Sequence, residues 1–228
     1  MSEQDFVLMK FFSTPEYKQQ FLDGLVFCNT PAYYRKSNQE GVGDRSESAI
    51  YCHYKGYEPK DGIKLQIGLG KKVGKNKLNL ENTDYIFRKS GEVDSWLNCW
   101  YALEVATASP DVTTHNLERM LREFGENTIL LRSDNWGEFL HRIKTHSPKE
   151  VDYCLVKYTD DWVNISKSCK LKDYSYQQEF RFMFGGCNFQ CTDSYSFHVP
   201  GGLRDLFVDG FWLKLSGSAE NKWLKYFK

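Results

Sequence analysis

Hydrophobic and polar positions alternate most strictly between Tyr174 and Phe184. Phe180, Phe182 and Phe184 fall on one side of an extended chain, and Gln177, Glu179 and Arg181 fall on the other. Period-two alternation of this length predicts a half-buried strand whose aromatic face enters a core and whose polar face lines solvent or a cleft. The same pattern, in shorter runs, predicts strands over 6–12, 25–28, 50–54, 63–67, 85–87, 128–132, 151–158, 195–199 and 211–215, with 96–105 the most apolar and central. Helical signals intervene. Thr14 and Pro15 form a cap and first-turn proline before Tyr17, Phe21 and Leu22, and Gly24 ends that helix. A second short helix is expected over 32–36, and a third over 115–124, where Leu117, Met120, Leu121 and Phe124 share a stripe. A fourth follows Ser133 and buries Trp136, Phe139, Leu140 and Ile143.

These elements predict an α+β chain, a single domain over 1–228, with a twisted, mainly antiparallel, split sheet and small flanking helices. Its 228 residues, 41% hydrophobic and 16% aromatic, supply material for one sizeable core. Thirty basic and thirty acidic side chains cancel, so no global field draws the chain to nucleic acid or to an anionic membrane. The absence of a long apolar run or secretory leader leads to the expectation of a soluble, cytoplasmic protein with no membrane partner. Seven cysteines at irregular spacing are expected as reduced thiols. Cys187 and Cys191, with Cys169 and His198, lack the paired spacing of a zinc site, so no metal is expected. The 68–75 stretch is glycine- and lysine-rich but lacks the Gly-Lys-Ser/Thr ending of a phosphate loop, and reads as a basic hairpin or turn.

Chemistry is concentrated in two places. One is the polar row Gln177, Glu179, Arg181, which suits either a structural ion-pair row across a sheet or a carboxylate that stabilises positive charge on a ribose carbon. The other is the polar, glycine-containing loop 41–48, of a kind that often carries ligands. Gln177-Gln178-Glu179 resembles the Gln/Glu-x-Glu element of ADP-ribosyltransferases. The order of Leu22-Asp23-Gly24-Leu25, Asn29 and the later Arg45 is similar to that of DNA-modifying ADP-ribosyltransferase toxins of bacterial toxin–antitoxin systems. Tyr174-x-x-Gln177-x-Glu179-Phe180-Arg181 also resembles uncharacterised bacterial and phage proteins. The first strand departs from the cholera-toxin-like pattern in carrying Lys10 where an arginine stands, and no Ser-Thr-Ser strand is present.

The resemblance implies NAD as substrate, with Glu179 and Gln177 catalytic, Arg45 on a phosphate and Asn29 on a ribose. Tyr33, Tyr34 or Tyr54 would stack on nicotinamide, and the ADP-ribose acceptor would be a protein or a nucleic acid. The rival is a non-catalytic module of bacterial or phage conflict that holds a nucleotide or a partner protein on the same scaffold.

Overall fold

The computed structural model describes residues 6–49, 51–53, 85–88, 93–104, 110–216 and 221–227. The expected strand 63–67, the 68–75 stretch and Tyr54 lie outside the described residues. Four helices are described: α1 (Pro15–Leu22), α2 (Pro31–Lys36), α3 (Pro110–Phe124) and α4 (Trp136–His146). The strands of the first half are β1 (Phe6–Phe12), β2 (Leu25–Cys28), β3 (Tyr51–His53), β4 (Tyr85–Phe87) and β5 (Asp94–Glu104). In the second half they are β6 (Asn127–Leu131), β7 (Val151–Leu155), β8 (Lys157–Thr159), β9 (Cys169–Leu171) and β10 (Glu179–Cys187). These are followed by β11 (Tyr195–His198), β12 (Phe207–Asp209), β13 (Phe211–Ser216) and β14 (Asn221–Phe227).

The fold is α+β. A six-stranded antiparallel sheet runs β12-β6-β1-β5-β10-β7, accompanied by two-stranded pairs β11-β2, β13-β14, β3-β4 and the parallel pair β8-β9. Helix starts follow their caps: the Thr14 and Thr30 hydroxyls accept from the backbone N–H groups of Tyr17 and Tyr33, and Pro15 and Pro31 occupy the first turns. Gly24, at φ +107°, turns α1 into β2 where a Cβ would meet the Val199 carbonyl oxygen at 2.3 Å.

The aromatic half of the central alternation behaves as expected. Phe180, Phe182 and Phe184 are buried in a core with Phe21 of α1, Phe139 and Ile143 of α4, and Val26 and Phe197 of the β2–β11 pair. The other sheet face is covered by α3, whose Leu117, Met120 and Leu121 meet Met9, Tyr101 and Leu103. Both faces of β10 are covered, the polar one by Glu47 and by Lys170 of β9, which corrects the expectation of a polar face open to solvent or a cleft. Its residues 179–184 are buried without exception.

A second correction concerns where the strand begins. Residues Lys172–Gln177 form a 3-10 turn, and Gln178 takes a left-handed backbone at φ 37°. Gln177 therefore leaves the strand register that alternation would give it. The turn lets Tyr176 reach α3, a tertiary contact that overrides the local period. The expected strand 151–158 likewise divides at buried Val156, whose N–H donates to the Glu179 carbonyl oxygen before the chain turns to pair with β9.

The sheet forks at β5. β1 pairs with β5 as far as Met9↔Tyr101 and then continues only along β6, while Asn29 bridges to Leu97 further up the same edge of β5. Lys10 fills the fork: its Nζ donates to Asn98 Oδ1 and to the Cys99 carbonyl oxygen, each at 3.0 Å, and lies 4.9 Å from the Trp100 ring centre. Burial pushes this amine down to about 8, against the opposing influence of Cys99, Cys28 and Glu179. Cys28, Cys99, Cys154, Cys169, Cys187 and Cys191 are free thiols.

Candidate functional site

The polar face of β10 ends in a buried ionic network. Arg181, with none of its surface exposed, donates through Nε to Glu179 Oε1 at 2.7 Å and through Nη2 to Glu179 Oε2 at 3.1 Å. The rest of the fork grips Glu47: Nη1 to Oε1 at 2.7 Å and Nη2 to Oε2 at 2.8 Å. A further bond from Nη1 reaches the Lys167 carbonyl oxygen at 2.6 Å. This is the two-pronged geometry a guanidinium is shaped for. Lys170, from β9, completes the group: its Nζ is 2.9 Å from Glu179 Oε2, 3.2 Å from Glu47 Oε2 and 3.9 Å from Asp44 Oδ2, and it donates to Gln177 Oε1 at 3.0 Å. Loop 44–47, β9 and β10 are thus tied together by three carboxylates and two cations.

The electrostatics follow from that count. Burial would raise the Glu179 carboxyl, but the Arg181 and Lys170 charges outweigh it and hold it well below the usual carboxylate range. Glu47 is likewise held down, by Arg181 and Lys170 against burial. Asp44 is the member left over. Burial, helped by the Glu47 charge, pushes it up to about 6 despite Lys170 and the hydrogen bonds from Ser46. Its Oδ1 accepts from the Ser46 N–H and hydroxyl, whereas Oδ2 has no hydrogen-bond partner among the described residues.

A carboxyl whose native value lies above its unfolded one holds the proton more tightly when folded, so its contribution is fully present below the unfolded value near 3.8. It is lost as pH rises through about 6. At roughly 1.4 kcal/mol per unit the loss across that window is on the order of 3 kcal/mol. Asp44→Asn keeps the Ser46 acceptor and removes the charge. Its urea midpoint is expected to vary less than wild type between pH 4 and 6, and to equal or exceed wild type at pH 7. A variant as pH-dependent as wild type in this window would show that the proton is taken up elsewhere.

The structure gathers some of the expected residues and separates others. Glu179 and Gln177 are neighbours through Lys170, and both are buried, at 5% and 3% exposure. Tyr34 belongs to the same neighbourhood: its hydroxyl is 3.9 Å from Cys99 Sγ, and burial, with Cys99 and Glu179 nearby, pushes the phenol well up. Arg45 lines an adjoining cleft. The Asn29 backbone bridges to Leu97 at the fork, four positions along β5 from Tyr101, with which Glu179 pairs. Tyr33 is 39% exposed and stacks edge-on against Tyr34. Tyr54 is outside the described residues.

The cleft has a volume of about 390 Å³ and is formed by loop 37–45, Arg119 of α3 and the 173–176 turn. Its floor is tied to the network behind it. Gln177 Nε2 donates to the Gly41 carbonyl oxygen at 2.8 Å, and the Tyr174 hydroxyl donates to the Gly43 carbonyl oxygen at 3.3 Å. Along one wall Tyr176 donates to Glu123 Oε2 at 2.6 Å, Arg119 Nε donates to Glu123 Oε1 at 2.7 Å, and the Arg119 guanidinium carbon lies 3.4 Å from the Tyr176 ring centre. Arg45 and Arg119 bring positive charge to the cleft; Glu40 and Asp173 bring negative charge.

Sequence reasoning singled out loop 41–48 and missed Asp44 and Glu47 as specific members, Lys170, and the Arg119–Tyr176–Glu123 triad. The i,i+4 spacing of Arg119 and Glu123 on a helix was the one available signal for the last. Among the described residues no group of three His, Cys, Asp or Glu side chains is placed to hold a metal, and no helix is long and apolar enough to cross a membrane. No protein-family model, curated protein or solved structure matches the chain.

Proposed function

We propose that this chain is a non-catalytic nucleotide-binding module, taking NAD or a related nucleotide in the cleft of Arg45, Arg119, Tyr174 and Tyr176. The observation that carries this is the separation of carboxylate and cleft. Glu179 is sealed and saturated by Arg181 and Lys170, while the accessible recess beside it offers guanidinium groups and aromatic rings. A carboxylate that stabilises a ribose cation must reach the ribose, and one already holding three charged hydrogen bonds in a buried site gains little from a fourth partner. In this role Glu179 shapes the cleft from behind, through Lys170 and Gln177.

A transferase acting on a protein or nucleic-acid acceptor is the second reading. It is favoured by the grouping of Glu179, Gln177 and Tyr34 within one neighbourhood, and it requires the network to open around NAD.

Thermal shift and nicotinamide release separate the two. NAD or ADP-ribose at millimolar concentration is expected to raise the melting temperature by mass action, with no nicotinamide released, and Arg45→Gln is expected to reduce that shift. Release of nicotinamide that Glu179→Gln abolishes, in a variant that stays folded, would establish the transferase instead. No shift with any nucleotide would leave the cleft without the assigned ligand and overturn the proposal.

A further inference from the structure

We infer that the cleft is built for a single ribonucleotide unit: a base stacked on the Arg119 guanidinium, ribose hydroxyls directed to Glu40 or Asp173, and one phosphate met by Arg45. This rests on the nucleotide-binding proposal above and narrows it from any nucleotide to a mononucleotide.

The stacking platform is already assembled. Tyr176 covers one face of the Arg119 guanidinium at 3.4 Å, and both groups are anchored to the two oxygens of Glu123. The Arg119 side chain remains 35% exposed and lines the cleft, so its uncovered face is the one presented to a ligand. Guanidinium planes held in this way are surfaces on which unpaired bases stack. The platform is rigid because the carboxylate fixes both of its layers, which lowers the ordering cost of binding.

Charge and size set the rest of the ligand. The two guanidinium groups are set against three carboxylates, Glu40 and Asp173 in the cleft and Glu123 paired with Arg119, so the cleft carries no excess of positive charge. A recess without an excess of positive charge suits one phosphate better than a chain of them. Carboxylates at the rim are acceptors without a donor role when ionised, and ribose hydroxyls are the donors they match. The volume of about 390 Å³ stands at the small end of the roughly 300–1,000 Å³ of small-molecule sites. That volume accommodates one nucleoside with its phosphate, and the second half of a dinucleotide such as NAD would lie outside the recess.

Isothermal titration of the full chain with AMP, 2′-deoxy-AMP, ribose 5-phosphate and NAD tests this. AMP is expected to bind at least as tightly as NAD, and deoxy-AMP and ribose 5-phosphate each about tenfold more weakly than AMP. Arg119→Lys keeps the charge beside Glu123 and removes the plane. It is expected to weaken AMP about tenfold while leaving ribose 5-phosphate unchanged. The combined Glu40→Gln and Asp173→Asn variant, whose substitutions are on the cleft rim, is expected to bind AMP and deoxy-AMP alike. NAD binding more than about tenfold tighter than AMP would overturn the mononucleotide assignment and leave the nucleotide-binding proposal standing. A folded Arg119→Lys protein with unchanged AMP affinity would overturn the platform. If none of the four compounds binds, both proposals fall.

Discussion

Arg181→Met is expected to lower the unfolding free energy by roughly 3–5 kcal/mol, the range found when one partner of a buried ion pair is removed. The guanidinium has no exposed surface and satisfies both oxygens of Glu179 and both of Glu47, so its loss leaves two carboxylates buried against Lys170 alone. Glu179 and Glu47 are held below their usual range chiefly by this charge, and without it both are expected to take up protons at higher pH. The variant should therefore be least stable relative to wild type at neutral pH and recover part of the difference in acid. The triple change Arg181→Met, Glu47→Leu, Glu179→Leu removes one positive and two negative charges and leaves Lys170 facing Asp44. Replacing a buried ionic group as a whole is often neutral or stabilising, so the triple variant should regain much of what the single one loses. Denaturant midpoints of the two variants at pH 5 and pH 7 decide the matter. A single-variant loss below about 1 kcal/mol would mean that water reaches the network and that its members are held no more tightly than a surface pair.

Phe182→Ala is expected to cost a similar amount, about 3–5 kcal/mol, by a different mechanism. The ring is 1% exposed and meets Phe180, Phe139, Trp136, Tyr153 and Trp100 at centroid distances of 5.3, 5.5, 5.9, 6.2 and 6.3 Å. Truncation removes the transfer energy of the side chain and leaves a cavity that β5, β7 and α4 can close only by shifting together. Phe182→Leu refills much of the volume and should cost substantially less. Urea denaturation of the two variants measures both. An alanine variant within about 1 kcal/mol of wild type would place this face of β10 in solvent, since a slip of one residue exchanges the two faces of a strand.

The two experiments probe opposite faces of one strand, and they mark where local pattern stops being informative. The alternation of Phe180, Phe182 and Phe184 with Glu179 and Arg181 determined that these residues divide between two faces and that the aromatic set enters a core. The helix start at Thr14-Pro15 was equally local, because a cap and a first-turn proline act within four residues. The α+β class followed from the mixture of periods along the chain.

Tertiary structure alone decided what covers the polar face. Alternation says that Glu179 and Arg181 share a side; it says nothing of the partner, and Glu47 stands 134 positions from Arg181 along the chain. The structural ion-pair alternative was open from the sequence, and the network realises it because Glu47, Asp44 and Lys170 close over the strand from loop 44–47 and β9. Gln177 moved out of register for the same kind of reason. Burial of Tyr176 against α3 and its hydrogen bond to Glu123 draw the chain into a 3-10 turn that local alternation does not contain. Arg45 and Arg119, 74 positions apart, face one cleft only because loop 37–45 is pinned by Gln177 and Tyr174 beside α3. The residues that line a recess are chosen by packing between distant segments, and the one-dimensional pattern carries the period of each segment without its neighbours.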